Sequence, residues 1–225
     1  MTTALMLGAA TTSCNRNYHI DGEVDRYGYD GVKLSLLVFD GQKFVCIDSC
    51  DVRHGAFQMQ GRVDSVRLAV LCNGFEPIMP IFVERGNISV RIKNTELNAE
   101  GTRQNNLFYS FLDKKTAYDN RFEDLVQRKN MSFAMNGFFG DFTADDDSIQ
   151  IVIKESEDYI CNFLAKHYKE PVGISVFSML CDAQPHFIIT PLIKRILDEA
   201  PESFLKKEYV KRYIQESGYT PSAGE

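Results

Sequence analysis

Apolar and polar residues alternate through the first hundred residues, and short turn-forming segments separate the alternating runs. The nine residues from Phe82 to Val90 alternate on both sides of a short polar segment that contains Gly86, and this pattern predicts a β-hairpin. Asp40-Gly41 predicts another hairpin, because this dipeptide readily forms the two-residue turns that join antiparallel strands. The early part of the chain is therefore predicted to be a series of short antiparallel strands.

The sequences of two of these strands indicate where the strands lie in a sheet. The run from Val66 to Cys72 is apolar on both faces of a strand, so it should lie in the middle of a sheet. Pro80 has no N–H to donate, which predicts that its strand either lies at an edge or starts later along the chain. About seven strands with no helix between them predict an antiparallel β-sandwich over residues 17–100 and exclude a parallel βαβ arrangement.

The apolar spacing becomes helical after residue 101. One long amphipathic helix is predicted to end near Lys129, and a second to run from about Ser148 to Tyr168, with Pro171 ending it. The chain is thus predicted to be an α+β protein: an antiparallel β-sandwich of about seven strands, then a helical domain, residues 101–225, packed on the sandwich. Three further helices are expected, over Ile174 to Leu180, after the N-cap Thr190, and from Pro201 to about Glu216.

The composition and the charge of the chain limit the classes of function it can have. The chain has 225 residues, of which 44% are hydrophobic, and this is enough apolar material for a substantial core. Its formal net charge is -6, and its lysines and arginines do not cluster. Because binding to a phosphate backbone requires clustered basic side chains, a nucleic-acid partner is not expected.

The first fourteen residues contain no charged side chain and include the apolar run from Ala4 to Ala10, with small residues just before Cys14. This segment resembles the tail of a bacterial lipoprotein signal peptide, in which the cysteine is lipidated and becomes the mature N-terminus. Residues 1–16 are therefore predicted to be a signal remnant and tether, with Cys14 as the lipidation site. A short disordered tail is the alternative. A lipid would anchor the chain to a membrane surface, since the run is too short to span a bilayer.

Five cysteines remain if Cys14 carries lipid. Cys46 and Cys50 are predicted to lie on the same face of one strand, about 13 Å apart, which is too far for a disulfide unless the strand is broken. Cys161 and Cys181 fall on different predicted helices, where two small buried side chains are the simplest interpretation and a redox pair is the alternative. The sequence contains no Cys-x-x-Cys motif.

No pattern in the sequence predicts a catalytic residue, a cofactor site or a metal site. His54 could act as a general base, but its place beside Gly55 indicates a solvated turn. The strongest candidate binding site is a segment rich in methionine and phenylalanine and interrupted by glycine, because such flexible side chains can line an apolar groove. Packing between the sheet and the helices is the alternative use. The groove candidates are Met131, Phe133, Met135, Phe138, Phe139 and Phe142.

Several segments carry a likeness to a known family, namely those beginning at Lys43, Gly55 and Pro80 and the run Gly101-Thr102-Arg103-Gln104-Asn105-Asn106. They resemble the N-terminal domain of unknown function (family 4369) found on thioredoxin-like lipoproteins of Gram-negative anaerobes. In those relatives a C-terminal domain carries the redox Cys-x-x-Cys, which is missing here. The resemblance therefore implies a lipid-anchored module with no catalytic residue carried over. Asn15-Arg16-Asn17 is not acidic, which favours the periplasmic face of the outer membrane over surface display.

These observations support two hypotheses of different class. The first is a non-enzymatic, lipid-anchored module that binds an unknown protein partner or a small apolar ligand. The second is an accessory of thiol-disulfide exchange that partners a thioredoxin-like protein or uses its own thiols. A peptide that adds a strand at the Pro80 edge is a further way in which a partner could bind.

Overall fold

The computed structural model describes residues 16–136 and 143–221. The described residues form eight strands followed by six helices, which confirms the expected α+β fold with an N-terminal sandwich. The strands are β1 (Asn17–Asp25), β2 (Lys33–Phe39), β3 (Phe44–Asp51), β4 (Ala56–Arg62), β5 (Arg67–Asn73), β6 (Glu76–Val83), β7 (Gly86–Lys93) and β8 (Leu97–Glu100). The helices are α1 (Arg103–Asn136), α2 (Thr143–His167), α3 (Pro171–Asp182), α4 (Pro191–Glu199), α5 (Glu202–Leu205) and α6 (Glu208–Ser217).

The strands form two four-stranded sheets. Sheet A has the order β4-β1-β7-β8, and sheet B has the order β3-β2-β5-β6. Alternate side chains on the inner faces are buried, such as Ile20 of β1, Leu36 of β2 and Ile88 of β7. All neighbouring strands are antiparallel except β1 and β7, which are parallel.

The predicted hairpin from Phe82 to Val90 is wrong, because β6 and β7 lie in different sheets. Glu84 and Arg85 carry the chain from one sheet to the other, and Gly86 turns it with a φ of 120°. Phe82 before the crossing and Ile88 after it are both fully buried. The alternation correctly located two half-buried strands. It could not show which strands they pair with, because a strand that changes sheets buries its side chains with the same period.

Three further strand predictions, the turn at Asp40-Gly41, the central strand from Val66 and the edge strand with Pro80, are confirmed. β2 and β3 form the hairpin expected at Asp40-Gly41, with Phe39 opposite Phe44. β5 lies inside sheet B between β2 and β6, and the strand that contains Pro80 is at the edge. Phe57 and Met59 point into the core, as the alternation of β4 requires.

The helices differ from expectation mainly at their ends. α1 continues past Lys129 to Asn136. Pro171 does not end α2, which stops at His167; it occupies the first turn of α3, where a missing N–H costs nothing. The predicted last helix is two helices, α5 and α6. Thr190 caps α4 as expected, since its hydroxyl oxygen accepts the N–H of Ile193 at 3.2 Å.

The helical region packs on the outer face of sheet B, where α1 contacts β6 and α3 contacts β5. The buried side chains form one continuous cluster from the sandwich into the helices. On the β2–β3 side of the same face, Phe39 and Phe44 are exposed. Within residues 16–136 and 143–221, none of the helices combines the length and the apolar character needed to cross a bilayer.

Candidate functional site

The junction between sandwich and helices is polar, and we call it the polar joint: Glu84, Thr102, Arg103, Gln104, Asn105, His167 and Glu170. At its centre the amide of Asn105, which is fully buried, pairs with the backbone of Phe82 at the edge of β6. The N–H of Phe82 donates to Oδ1 of Asn105 at 2.9 Å, and Nδ2 of Asn105 donates to the carbonyl oxygen of Phe82 at 2.8 Å. Asn105 therefore takes the place of a neighbouring strand.

Pro80, two residues earlier on the same edge of β6, also has a hydrogen-bond partner on α1. The hydroxyl of Tyr109 donates to the carbonyl oxygen of Pro80 at 2.7 Å, and burial raises the pKa of Tyr109, which keeps it a donor. Because α1 covers the edge backbone at Pro80 and Phe82, a partner peptide cannot add a strand there without displacing α1. The edge that the sequence offered as a docking place is used within the fold.

Gln104 extends the joint from the sandwich to α3. Its backbone N–H donates to Oε1 of Glu84 at 2.6 Å, which caps the start of α1 with a negative charge. Its side-chain Oε1 accepts the N–H of Val172 at 2.9 Å, and its Nε2 donates to Glu170 at 2.9 Å. One glutamine thus connects the β6–β7 crossing, α1 and the α2–α3 corner.

Glu170 is the anionic centre of the joint. Arg103 donates to both of its carboxylate oxygens, at 3.0 and 2.8 Å, and Nδ1 of His167 lies 2.9 Å from Oε1. The hydrogen bonds from Arg103 lower the pKa of Glu170 most, those from His167 and Gln104 add to this, and together they bring it to about 2. A carboxylate that is fully ionised and saturated with donors is poorly suited to act as a base. We therefore interpret the joint as structural.

The cleft between α1, α2, α3 and α4 differs from the joint in chemistry. It has a volume of about 390 Å³, within the range of about 300–1,000 Å³ typical of ligand pockets. Most of the surface that lines it is apolar. We call it the helical cleft; its lining side chains are Tyr118, Phe122, Val152, Ile153, Ile160, Leu180, Ala183 and Leu192, and its polar rim is Lys115, Asp119, Ser156, Glu157 and Gln184.

The floor of the helical cleft is buried, whereas its wall is partly exposed. Val152 and Ile160 belong to the buried core, so the floor is fixed by packing. Phe122 is 38% exposed, which leaves an aromatic face at the wall. At the rim, Nζ of Lys115 donates to Asp119 at 2.6 Å, one turn along α1. The cleft can therefore hold an apolar group and offer charged and amide side chains at its mouth.

The sequence indicated some of these residues but not their assembly. Tyr118 and Phe122 lie on the predicted apolar stripe of α1, and Val152 and Ile160 on that of α2. An apolar stripe indicates burial, and it does not show where facing helices leave a gap. Leu180 and Leu192 come from two later helices whose crossing no local pattern gives, and Ala183 directly follows the first of them.

The groove predicted from the methionine-rich segment is only partly described. Met131, Phe133 and Met135 lie in the last turns of α1, with exposed fractions of 65%, 48% and 81%. At about 100° per residue, Phe133 is on the opposite side of the helix from Met131, so α1 does not bring these three together. Phe138, Phe139 and Phe142 lie outside the described residues. The groove as a whole stays a prediction.

The cysteines separate into one exposed thiol and four that are wholly or partly buried. All five described cysteines are free, and Cys14 lies outside the described residues. The prediction that Cys46 and Cys50 share a face is wrong, because a bulge at Ile47 shifts the register: Cys46 is opposite Leu37 on the outer face, and Cys50 is opposite Leu34 on the inner face.

Burial governs the chemistry of the other thiols. It raises the pKa of Cys50, Cys72 and Cys161, and it raises that of Cys181 to about 12. Since the thiolate is the reactive form, these four thiols are poor nucleophiles at neutral pH. Cys161 and Cys181 are both deeply buried, in line with the simpler of the two interpretations.

His54, the candidate general base, occupies the expected turn with a φ of 53°. Its backbone N–H donates to Oδ1 of Asp30 at 2.7 Å. In residues 16–136 and 143–221, no group of three or more His, Cys, Asp or Glu side chains is placed to hold a metal ion.

Residues 18–108 match the family model described as Domain of unknown function (DUF4369). The chain carries a DUF4369 domain. The match begins with β1 and ends in the second turn of α1, so the DUF4369 domain includes Glu84 and the Thr102–Asn105 part of the polar joint and stops before the helical cleft. Neither the curated proteins nor the solved structures contain a protein that matches the chain. The association with thioredoxin-like proteins stays a prediction.

Proposed function

We propose that this protein is a binding module of the cell envelope, held by a lipid on Cys14 at the periplasmic face of the outer membrane, and that the helical cleft takes an apolar group of its ligand. The single observation that carries the binding role is the cleft itself, which is open, apolar and ligand-sized. The proposal of a lipid anchor rests on the sequence that precedes Cys14.

The chemistry of the cleft restricts the class of ligand. An apolar interior with Lys115, Glu157 and Gln184 at its mouth suits an amphipathic molecule, or an apolar side chain of a protein partner flanked by polar groups. Burial of the apolar part would provide most of the binding free energy, and the rim would orient the polar part.

Filling the cleft tests the binding role. Ala183 lines the cleft at its exposed side, where the backbone is in the ordinary right-handed region, so Ala183→Trp should block the cleft without disturbing the core. Ala134 is an exposed alanine of α1 outside the cleft, and Ala134→Trp is the matched control. We expect the apolar dye anilinonaphthalene sulfonate to bind the wild-type chain and Ala134→Trp, and to bind Ala183→Trp at least about tenfold more weakly. Equal dye binding by all three chains would refute the proposed site.

The anchor is tested separately with a labelled fatty acid. Label should enter the wild-type chain in cells and should be lost in Cys14→Ser, while dye binding by the cleft stays unchanged. Label that persists in Cys14→Ser would refute Cys14 as the lipidation site.

The alternative function, an accessory of thiol-disulfide exchange, is favoured by one observation: Cys46 is exposed on the edge strand β3. Its thiolate could attack a partner's disulfide, which would form a mixed disulfide with Cys46 and release the partner's second sulfur as a thiolate. Cys46→Ser should then abolish a disulfide-linked complex with a thioredoxin-like protein, and Cys50→Ser should not. A complex that survives Cys46→Ser would exclude this role.

A further inference from the structure

Two exposed phenylalanines form the tip of the β2–β3 hairpin. Phe39 and Phe44 are 53% and 60% exposed, and their ring centroids lie 5.4 Å apart. Oδ1 of Asp40 accepts the N–H groups of Gln42 and Lys43, both at 2.9 Å, so the turn between the rings is preformed. Side by side on a fixed turn, the two rings form an aromatic wedge, which we call the Phe39–Phe44 tip.

This tip lies at the end of the sandwich where β1 begins. The segment 63–66 joins the end of β4, which lies beside the start of β1, to the start of β5, which lies beside the end of β2. Glu84 and Arg85 join the two sheets at the same end, and they line one groove together with residues 63–66. Arg16, which pairs with Asp64 at 3.1 Å, therefore enters the fold at the end that carries the tip. We call this the Arg16 end.

Charge distinguishes the Arg16 end from the opposite end of the sandwich. Residues 16–17, 39–44, 62–67 and 83–86 contain five basic residues (Arg16, Lys43, Arg62, Arg67, Arg85) and three acidic ones, in a chain whose net charge is -6. The opposite end, formed by residues 25–33, 51–55, 73–76 and 93–97, has four basic and five acidic residues. That end also carries two exposed aromatic side chains, Tyr27 and Phe75. Aromatic residues occur at both ends of the sandwich, whereas of these two ends the Arg16 end has the positive balance.

We propose that the Arg16 end rests on an anionic lipid bilayer, with Phe39 and Phe44 inserted among the headgroups and the surrounding basic side chains facing lipid phosphates. This inference rests on the lipid anchor of the proposed function. Cys14 is two residues from Arg16, and two residues span at most about 7 Å, so an acyl chain on Cys14 holds this end against the membrane. The tip and the basic residues then add a second attachment to the first.

The orientation has a consequence for the helical cleft. Aromatic side chains favour the boundary between headgroups and acyl chains, and a preformed turn loses little entropy on insertion. With the Arg16 end fixed on the bilayer, the molecule has one defined face toward lipid and presents Tyr27 and Phe75 away from it. A soluble or protein-borne ligand would then reach a cleft held at a constant height above the membrane.

Vesicle flotation tests the tip without the lipid anchor. The full chain with Cys14→Ser is mixed with vesicles of phosphatidylethanolamine and phosphatidylglycerol, and with phosphatidylcholine vesicles as the uncharged control. We expect binding to the anionic vesicles to fall about tenfold when Phe39 and Phe44 are both changed to serine, and to stay unchanged when Tyr27 and Phe75 are changed to serine. Equal loss in both double variants, or loss in the second alone, would overturn the proposal.

A fluorescence reporter tests the orientation. The chain has no tryptophan, so Phe44→Trp and Phe75→Trp each introduce a single reporter. Brominated lipid quenches tryptophan on contact; it should quench the Phe44→Trp chain and leave the Phe75→Trp chain unquenched. Quenching of both, of neither, or of Phe75→Trp alone would overturn the proposal. Fatty-acid labelling tests the lipid anchor in a separate assay. Dye binding to the helical cleft likewise tests the binding role separately.

Discussion

The polar joint and the helical cleft are built on the same helix, and they differ in how completely their side chains are occupied. In the joint, every amide and carboxylate of Gln104, Asn105 and Glu170 is bonded to a partner, mostly across element boundaries. In the cleft, apolar side chains line an open space of about 390 Å³. The first arrangement fixes the helices on the sandwich, and the second leaves surface for a ligand.

The structural joint and the proposed binding cleft come from different parts of the chain. The DUF4369 match reaches through the first half of the joint and ends at residue 108, before Lys115, the first residue of the cleft. The polar side chains of Arg103, Gln104 and Asn105 are bonded to β6 and to the start of α3, and they hold α1 in place. A binding surface is expected instead where satisfied polar contacts give way to unfilled apolar space.

Removal of the Asn105 amide should cause the largest loss of stability. Asn105→Ala leaves the N–H and the carbonyl of Phe82 buried without partners, and we expect the free energy of unfolding to fall by about 4 kcal/mol. Asn94→Ala, at an exposed turn, should change it by less than about 0.5 kcal/mol. Urea unfolding measures both; a loss below about 1 kcal/mol in Asn105→Ala would show that the joint does not hold the edge of β6.

Gly101→Ala should be the next most damaging change. Gly101 has a φ of 99°, and a Cβ at this position would lie 2.4 Å from the carbonyl oxygen of Asn87. Gly28 also has a positive φ, 81°, but open space around it, so Gly28→Ala isolates the conformational cost of about 1 kcal/mol. We expect Gly101→Ala to cost about 3 kcal/mol by the same urea assay. Equal costs for the two variants would contradict the close approach of β7 to the start of α1.

Glu170→Gln should give a smaller, pH-dependent effect. The pKa of Glu170 is lowered from 4.5 to about 2, so its contribution to stability is complete above about pH 4.5 and is lost as the pH falls toward 2. Near neutral pH we expect the variant to be less stable by about 1 kcal/mol. The gap between wild type and variant should close between pH 4.5 and 2 in urea unfolding. A gap that is constant with pH would mean that the charge of Glu170 contributes nothing.

Phe122→Ser should have the smallest effect on stability and a clear effect on binding. Because Phe122 is only partly buried, the loss in unfolding free energy should stay below about 1 kcal/mol. Dye binding should nevertheless weaken several-fold, since the ring is a wall of the cleft. If dye binding weakened in Asn105→Ala and stayed unchanged in Phe122→Ser, the dye would bind outside the helical cleft.

The sequence predicted the architecture well where the signal is local. The alternation of Ile88, Val90 and Ile92, the turn at Asp40-Gly41 and the cap at Thr190 each depend on neighbours in the chain, and each is confirmed. The parallel pairing of β1 with β7 depends on where a strand goes after it leaves one sheet, and no local pattern contains that information.

The candidate site was harder to predict because it is made of distant residues. Asn105 appeared in the sequence as one member of a polar run, and only the approach of β6 gives its amide a role. The bulge at Ile47 changed which face Cys46 occupies, although the cysteine spacing suggested a regular strand. The spacing of the apolar residues predicts that they are buried, but the gap they leave between four helices is a property of helix crossing.

Amide hydrogen exchange of the full chain, with and without anilinonaphthalene sulfonate, tests the central claim that the helical cleft is the binding site. We expect the dye to slow exchange in the stretches of α1, α2 and α3 around Phe122, Ile153 and Leu180, with no change in the strands of either sheet. Slower exchange in the sandwich, with the helices unchanged, would contradict it.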